Sequence, residues 1–74
     1  MIRLTLPNNR VYDISPKDCD KVYYLIAEFL CDDIRTISQE KHQIAADAEG
    51  WAELACIGEE YRCSALPGLH IEIV

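Results

Sequence analysis

No stretch of this chain is apolar for long, glycine and proline are scarce, and neither a glycine-rich phosphate loop nor a CxxC pair occurs. The longest apolar run, VYYLIA at residues 22–27, is too short to cross a bilayer or to form the core of a secretory signal. The expectation is therefore a cytoplasmic protein with no membrane partner. Its four cysteines would suggest disulfides in a secreted chain, but in a reducing compartment they are expected as free thiols. Cys56, Cys63 and His70 are spaced evenly by seven, without the closely spaced pair from which structural zinc sites build a knuckle. No metal and no cofactor are expected. A cysteine with His42 or His70 makes a nucleophile–base pair only on paper, because such pairs are defined by geometry, and no nucleophile elbow is present. The expectation is a protein that is not an enzyme.

Basic residues are also few. Seven lysines and arginines face thirteen acids, for a net charge of −6. Such a chain repels phosphate backbones, which argues against direct nucleic-acid binding, and it attracts basic proteins. The imbalance is local. Arg3, Arg10, Lys17 and Lys21 nearly cancel Asp13, Asp18 and Asp20 in the first third. Residues 28–60 then carry Glu28, Asp32, Asp33, Glu40, Asp47, Glu49, Glu53, Glu59 and Glu60 against only Arg35 and Lys41.

What is present is enough for one small core. Half of the 74 residues are hydrophobic and 27% are charged, the composition of a folded protein, and residues 1–74 read as a single α+β domain. A chain this short buries only about 60% of its unfolded surface, so homodimerisation stays open as a way to complete a thin core.

Ile2, Leu4 and Leu6 alternate with Arg3 and Thr5, the period of a half-buried strand. PNNR follows as a turn, and RVYDI as the return strand of a hairpin. Ser15, Pro16 and Asp18 mark a helix start. Cys19, Val22, Tyr23, Ile26, Phe29 and Leu30 then recur on one face, opposite Lys17, Lys21, Tyr24 and Glu28, and the helix closes at CDD. A second helix begins at Ser38, with Ile44, Ala48, Trp51, Ala52 and Ala55 as its inner stripe; Gly50 is expected to bend or interrupt it, and Gly58 to stop it. YRCSALPGLHIEIV reads as two strands around Pro-Gly, joined by a loose connection. The order is ββααββ, an antiparallel sheet packed on two helices.

The hairpin followed by a Ser-Pro-capped helix resembles the start of the β-grasp (ubiquitin-like) fold, and LHIEIV resembles its last strand. That resemblance spans roughly half of the chain and implies, as an alternative topology, a last strand parallel to the first. The second helix and the cysteine-bearing strand depart from it.

Glu49 and Glu53 are one turn apart, turned from the inner stripe, with His42 and Glu60 in roughly their direction. Like charges at this spacing repel by a few tenths of a kcal/mol. Together with Asp47, Glu59, Glu60, Asp32, Asp33 and the outward Tyr24, they are the candidate partner-binding residues. They read either as a solubilising face or as a docking surface for a basic protein. The docking reading implies a small inhibitor or immunity-type factor that places carboxylates where phosphates would sit, as a phage or mobile-element protein of anti-CRISPR type would do. The alternatives are an assembly subunit working as a homo-oligomer and a small thiol or metal protein.

Overall fold

A computed structural model describes residues 1–74. Strand β1 (Ile2–Thr5) turns into β2 (Val11–Ile14), helix α1 (Asp20–Leu30) and helix α2 (Gln39–Leu54) follow, and β3 (Glu60–Arg62) and β4 (His70–Ile73) close the chain. The four strands form one antiparallel sheet in the order β2-β1-β4-β3. The expected ββααββ order and α+β class hold. The β-grasp alternative does not: Ile2 pairs with Ile73 and Leu4 with Ile71 in an antiparallel ladder. The second helix adds a reversal of chain direction that a β-grasp lacks, so the last strand arrives antiparallel to the first.

The hairpin turn works as its residues dictate. Leu6 N–H donates to the Arg10 carbonyl, Asn8 Oδ1 accepts from Arg10 N–H, and Asn9 takes φ 69°, a left-handed conformation that Asn tolerates. Ile2, Leu4, Ile14, Ile71 and Ile73 face the helices and are buried, while Arg3, Asp13, Glu60, Arg62, His70 and Glu72 lie on the opposite, helix-free face.

Helix α1 departs from its expected start. Ser15 makes no side-chain cap bond; a single 3-10 turn, Pro16–Asp18, comes first and the α-helix begins at Asp20. Its fully buried residues are Val22, Ile26 and Ala27. Phe29, expected in the core, is 37% exposed. The buried arc centres on Ile26 and Tyr23, which leaves Phe29 on its rim and turns Ala27 toward α2. Helix α2 starts as expected, Ser38 Oγ accepting from Lys41 N–H at 3.3 Å. It runs unbroken through Gly50 and ends at Leu54, well before Gly58, which instead turns the chain into β3 at φ 96°.

The two helices run antiparallel: Cys19 lies against Glu49, and Tyr23 against His42 further along. Ala45, Ala48 and Ala52 form the buried spine of α2, and small side chains there let the helices close. Ile44, Trp51 and Ala55 flank this spine, half-buried, with Trp51 packed at a tilt against Tyr61 of β3, 5.4 Å between ring centres. The 13 buried residues form one continuous cluster, all of them apolar. The loop 63–69 joins β3 to β4. At φ 95° a Cβ on Gly68 would meet Pro7 Cα at 3.2 Å, so glycine is required there.

Candidate functional site

The acids singled out from the sequence do not form one face. Glu49 and Glu53 lie together at the α2 end of the helix pair, against the first turn of α1, where Asp20 joins them. Burial, then Glu53 and then Asp20, hold the Glu49 carboxyl above its usual range. The same corner acts on Cys19: its thiol donates to the Glu49 carbonyl at 3.7 Å and is pushed up by burial and by Glu49, Glu53 and Asp20. No lysine or arginine pairs with any of these three carboxylates. Two acids near a helix C-terminus also oppose its dipole, and α2 has no basic residue in its last turn. Asp20 alone is well placed, at the positive N-terminus of α1.

The other candidates are spread around the molecule. Asp47, beside Tyr61, accepts from Gln43 Nε2 at 2.7 Å. Glu59 caps the turn after α2 by accepting from Cys56 N–H at 2.6 Å. Asp33 caps the turn Ile34–Thr36 and takes a two-pronged hydrogen bond from the Arg35 guanidinium, which holds its carboxyl below its usual range. Asp32 is exposed beside it. Tyr24 is half-exposed on the outer face of α1, as expected, and lines a cavity of about 330 Å³ with Lys21, Leu25 and Glu28 of α1 and Tyr12, Asp13 and Ile14 of β2.

His42 and Glu60 do not share the direction of Glu49. The Tyr23 hydroxyl and His42 Nδ1 meet at 2.7 Å across the helix seam. Glu60 belongs to the open face of the sheet, where the register sets it directly opposite Glu72. His70 lies between them, with Nε2 3.0 Å from Glu60 and Nδ1 3.5 Å from Glu72. Its side chain is only 17% exposed although it lies on the helix-free face. Opposed like charges cost a strand pair stability, and the imidazole lies within hydrogen-bond reach of Glu60. One ligand atom from each of the three lies within 4.8 Å of the others, so this is the set of residues that could hold a metal ion. Sequence reading missed it because a ligand set spread over two strands shows only in their register.

The cysteines are dispersed. Cys31 donates to the Ala27 carbonyl at 3.1 Å, Cys63 lies near Tyr61, Cys56 is exposed, and all four are free thiols. No helix is long and apolar enough to cross a membrane. Comparison with known proteins finds no matching family model, curated protein or solved structure.

Beyond the Glu60, His70 and Glu72 ligand set, the arrangement offers unpaired carboxylates. Asp20, Glu28, Asp32, Glu40, Asp47, Glu49, Glu53 and Glu59 all lack a basic partner, and all belong to the helices or their flanking loops. On the sheet, Asp13 is paired with Arg3, and Glu60 and Glu72 flank the imidazole of His70. The helical layer carries most of the unpaired negative charge, whereas on the sheet face Arg3 and Arg62 stand against Asp13, Glu60 and Glu72.

Proposed function

We propose that the protein is a small binding module that docks its acidic helical layer on a lysine- and arginine-rich surface of another protein. By covering that surface it acts as an inhibitor or immunity-type factor, and a surface built for nucleic acid is the most natural target. The reading is carried by the Asp20–Glu49–Glu53 corner, where three carboxylates repel one another with no internal cation to relieve them. A partner's basic side chain would remove that repulsion, so the corner favours complex over free protein. The surrounding unpaired acids would steer the encounter and raise its rate.

The test compares wild type with Glu49→Lys/Glu53→Lys as baits in the native host's extract, with captured proteins quantified by mass spectrometry. A basic protein held by wild type, lost by the double variant and released by moderate salt supports the reading. Identical capture by both baits, or capture indifferent to salt, would leave these acids as solubilising residues.

A homo-oligomer is the second reading. Leu54 and Ile57 stand 85% and 82% exposed just beyond the acidic corner, a liability in a monomer. Sedimentation across a concentration series separates the two, since a concentration-dependent dimer that captures no basic protein would favour assembly.

A further inference from the structure

We propose that the open edge of β2 is a second contact point for the partner, and that it takes an extended, arginine- or lysine-bearing segment as an added strand. This inference rests on the basic-partner reading and supplies a recognition mode for it.

The edge is defined by hydrogen bonding. Because Leu6 N–H bonds the Arg10 carbonyl, the alternation of an antiparallel ladder makes Leu4–Tyr12 and Ile2–Ile14 the bonded pairs. Val11 and Asp13 then turn their N–H and C=O groups away from β1, and no strand lies beyond β2 to receive them. Natural edges are usually blunted by charge, proline or a covering element. This one carries a single charge, Asp13, tied to Arg3 on the helix-free face; it presents Val11, 55% exposed, and lies uncovered beside a cavity. The other edge, β3, is only three residues long and turns the backbone of Glu60 and Arg62 outward.

The cavity gives the added strand its specificity. A strand laid along β2 points every second side chain to the helix side of the sheet, into the space of about 330 Å³ between β2 and α1. That volume suits one large side chain. Its walls are Tyr12 and Ile14 below and Tyr24 and Leu25 above, with Lys21 and Glu28 along α1. Asp13 is held by Arg3 at 3.0 Å and Lys21 reaches toward Asp18 at 3.9 Å, so Glu28 is the one lining carboxylate without a partner. An arginine entering here would lay its stem on Leu25, pass its guanidinium across a tyrosine ring and end at Glu28. Main-chain bonds to the strand edge supply affinity and the cavity supplies choice, as in other strand-addition interfaces.

The probe is a blocked octapeptide of alternating arginine and valine, titrated into 15N-labelled protein at about 150 mM salt and followed by amide chemical shifts. Saturable shifts are expected at residues 11–14 and 21–28. N-methylating one alternate set of peptide amides should abolish them and the other set should be tolerated, since only one peptide edge is used. Glu28→Gln and Tyr24→Ala should each weaken binding roughly twofold to fivefold. The Glu49→Lys/Glu53→Lys variant should keep the saturable shifts at residues 11–14 and 21–28, because neither residue lines the cavity and salt weakens their reach. Absence of shifts at β2, tolerance of both methylated sets, or a glutamate–valine peptide binding equally well would overturn the inference. So would a dimer whose β2 amides resist exchange, which would place a second copy on the edge. Any of these could occur while the α2 reversal still abolishes partner capture, and the docking reading would then stand alone.

Discussion

Replacing Ile26 and Phe29 separately by alanine tests how α1 sits on the sheet. Ile26 is fully buried, within the single core cluster. Removing its side chain leaves a cavity that the neighbouring strands and α2 cannot fill without moving, so the cost is about 2–5 kcal/mol. Phe29 lies on the rim, 37% exposed and outside that cluster. Full burial of a phenylalanine is worth about 1.5–3 kcal/mol, and partial burial next to solvent opens no sealed cavity, so its loss should cost roughly 1–2 kcal/mol. In a domain of this size each kcal/mol shifts the melting temperature by about 4–8 °C. Thermal and urea unfolding followed by circular dichroism should therefore show Ile26→Ala losing at least ~8 °C and Phe29→Ala clearly less. If Phe29→Ala proves as damaging as Ile26→Ala, α1 is rotated from the position described and the assignment of its outer face, Tyr24 included, fails with it.

Gly50→Ala should stabilise the protein by about 0.5–1 kcal/mol in the same assay, because the position is helical and an added Cβ meets nothing within 4 Å. Glu49→Gln should gain a few tenths of a kcal/mol at neutral pH by removing a like-charge contact. Since burial, Glu53 and Asp20 raise the folded-state pKa of Glu49 above its usual 4.5, its contribution to stability is fully present below the unfolded value and is lost as pH rises through the folded one. The Gln variant should therefore lose less stability than wild type as pH rises from about 4 to 7, and parallel pH profiles would contradict the placement of that carboxylate. Exposed Cys56 should react with a thiol reagent first and Cys19 much later, because burial and three nearby acids raise the Cys19 thiol pKa. Mass-spectrometric site mapping of the labelled protein gives the order.

Element order was legible because each element carries its own signal. The Ile2–Leu4–Leu6 alternation, the Ser38 cap and the Leu69–Ile71–Ile73 alternation are local facts that tertiary packing did not overturn. The misplacements arise where packing decides. Ala27 and Ala45 are too small to mark a hydrophobic stripe, yet they are buried because the helices approach closely. Gly50 weakens a helix in isolation, but the seam against α1 and the packing of Trp51 against Tyr61 hold it through that point. The charged residues were the least legible. Nine acids in one stretch of sequence suggest a single surface, whereas the structure sends Glu60 to the far face of the sheet, Asp33 to Arg35 and Asp47 to the opposite side of α2. Only Glu49 and Glu53 stay together, and Asp20, their third member, comes from a segment that reads as charge-balanced. The β2 groove has no sequence signature beyond the outward position of Tyr24.

The central claim is that unpaired carboxylates of the helical layer bring the protein to a basic partner. The most direct measurement is the association rate constant of the captured partner as a function of ionic strength, for wild type and for Glu49→Lys/Glu53→Lys. Lysines there would meet Asp20 and the negative end of α2, so the variant should stay folded, which circular dichroism confirms independently. For wild type the rate should be high at low salt and fall steeply as salt is added, while the variant should be slow and nearly flat. Equal rates for the two proteins, or a wild-type rate independent of salt, would contradict the account.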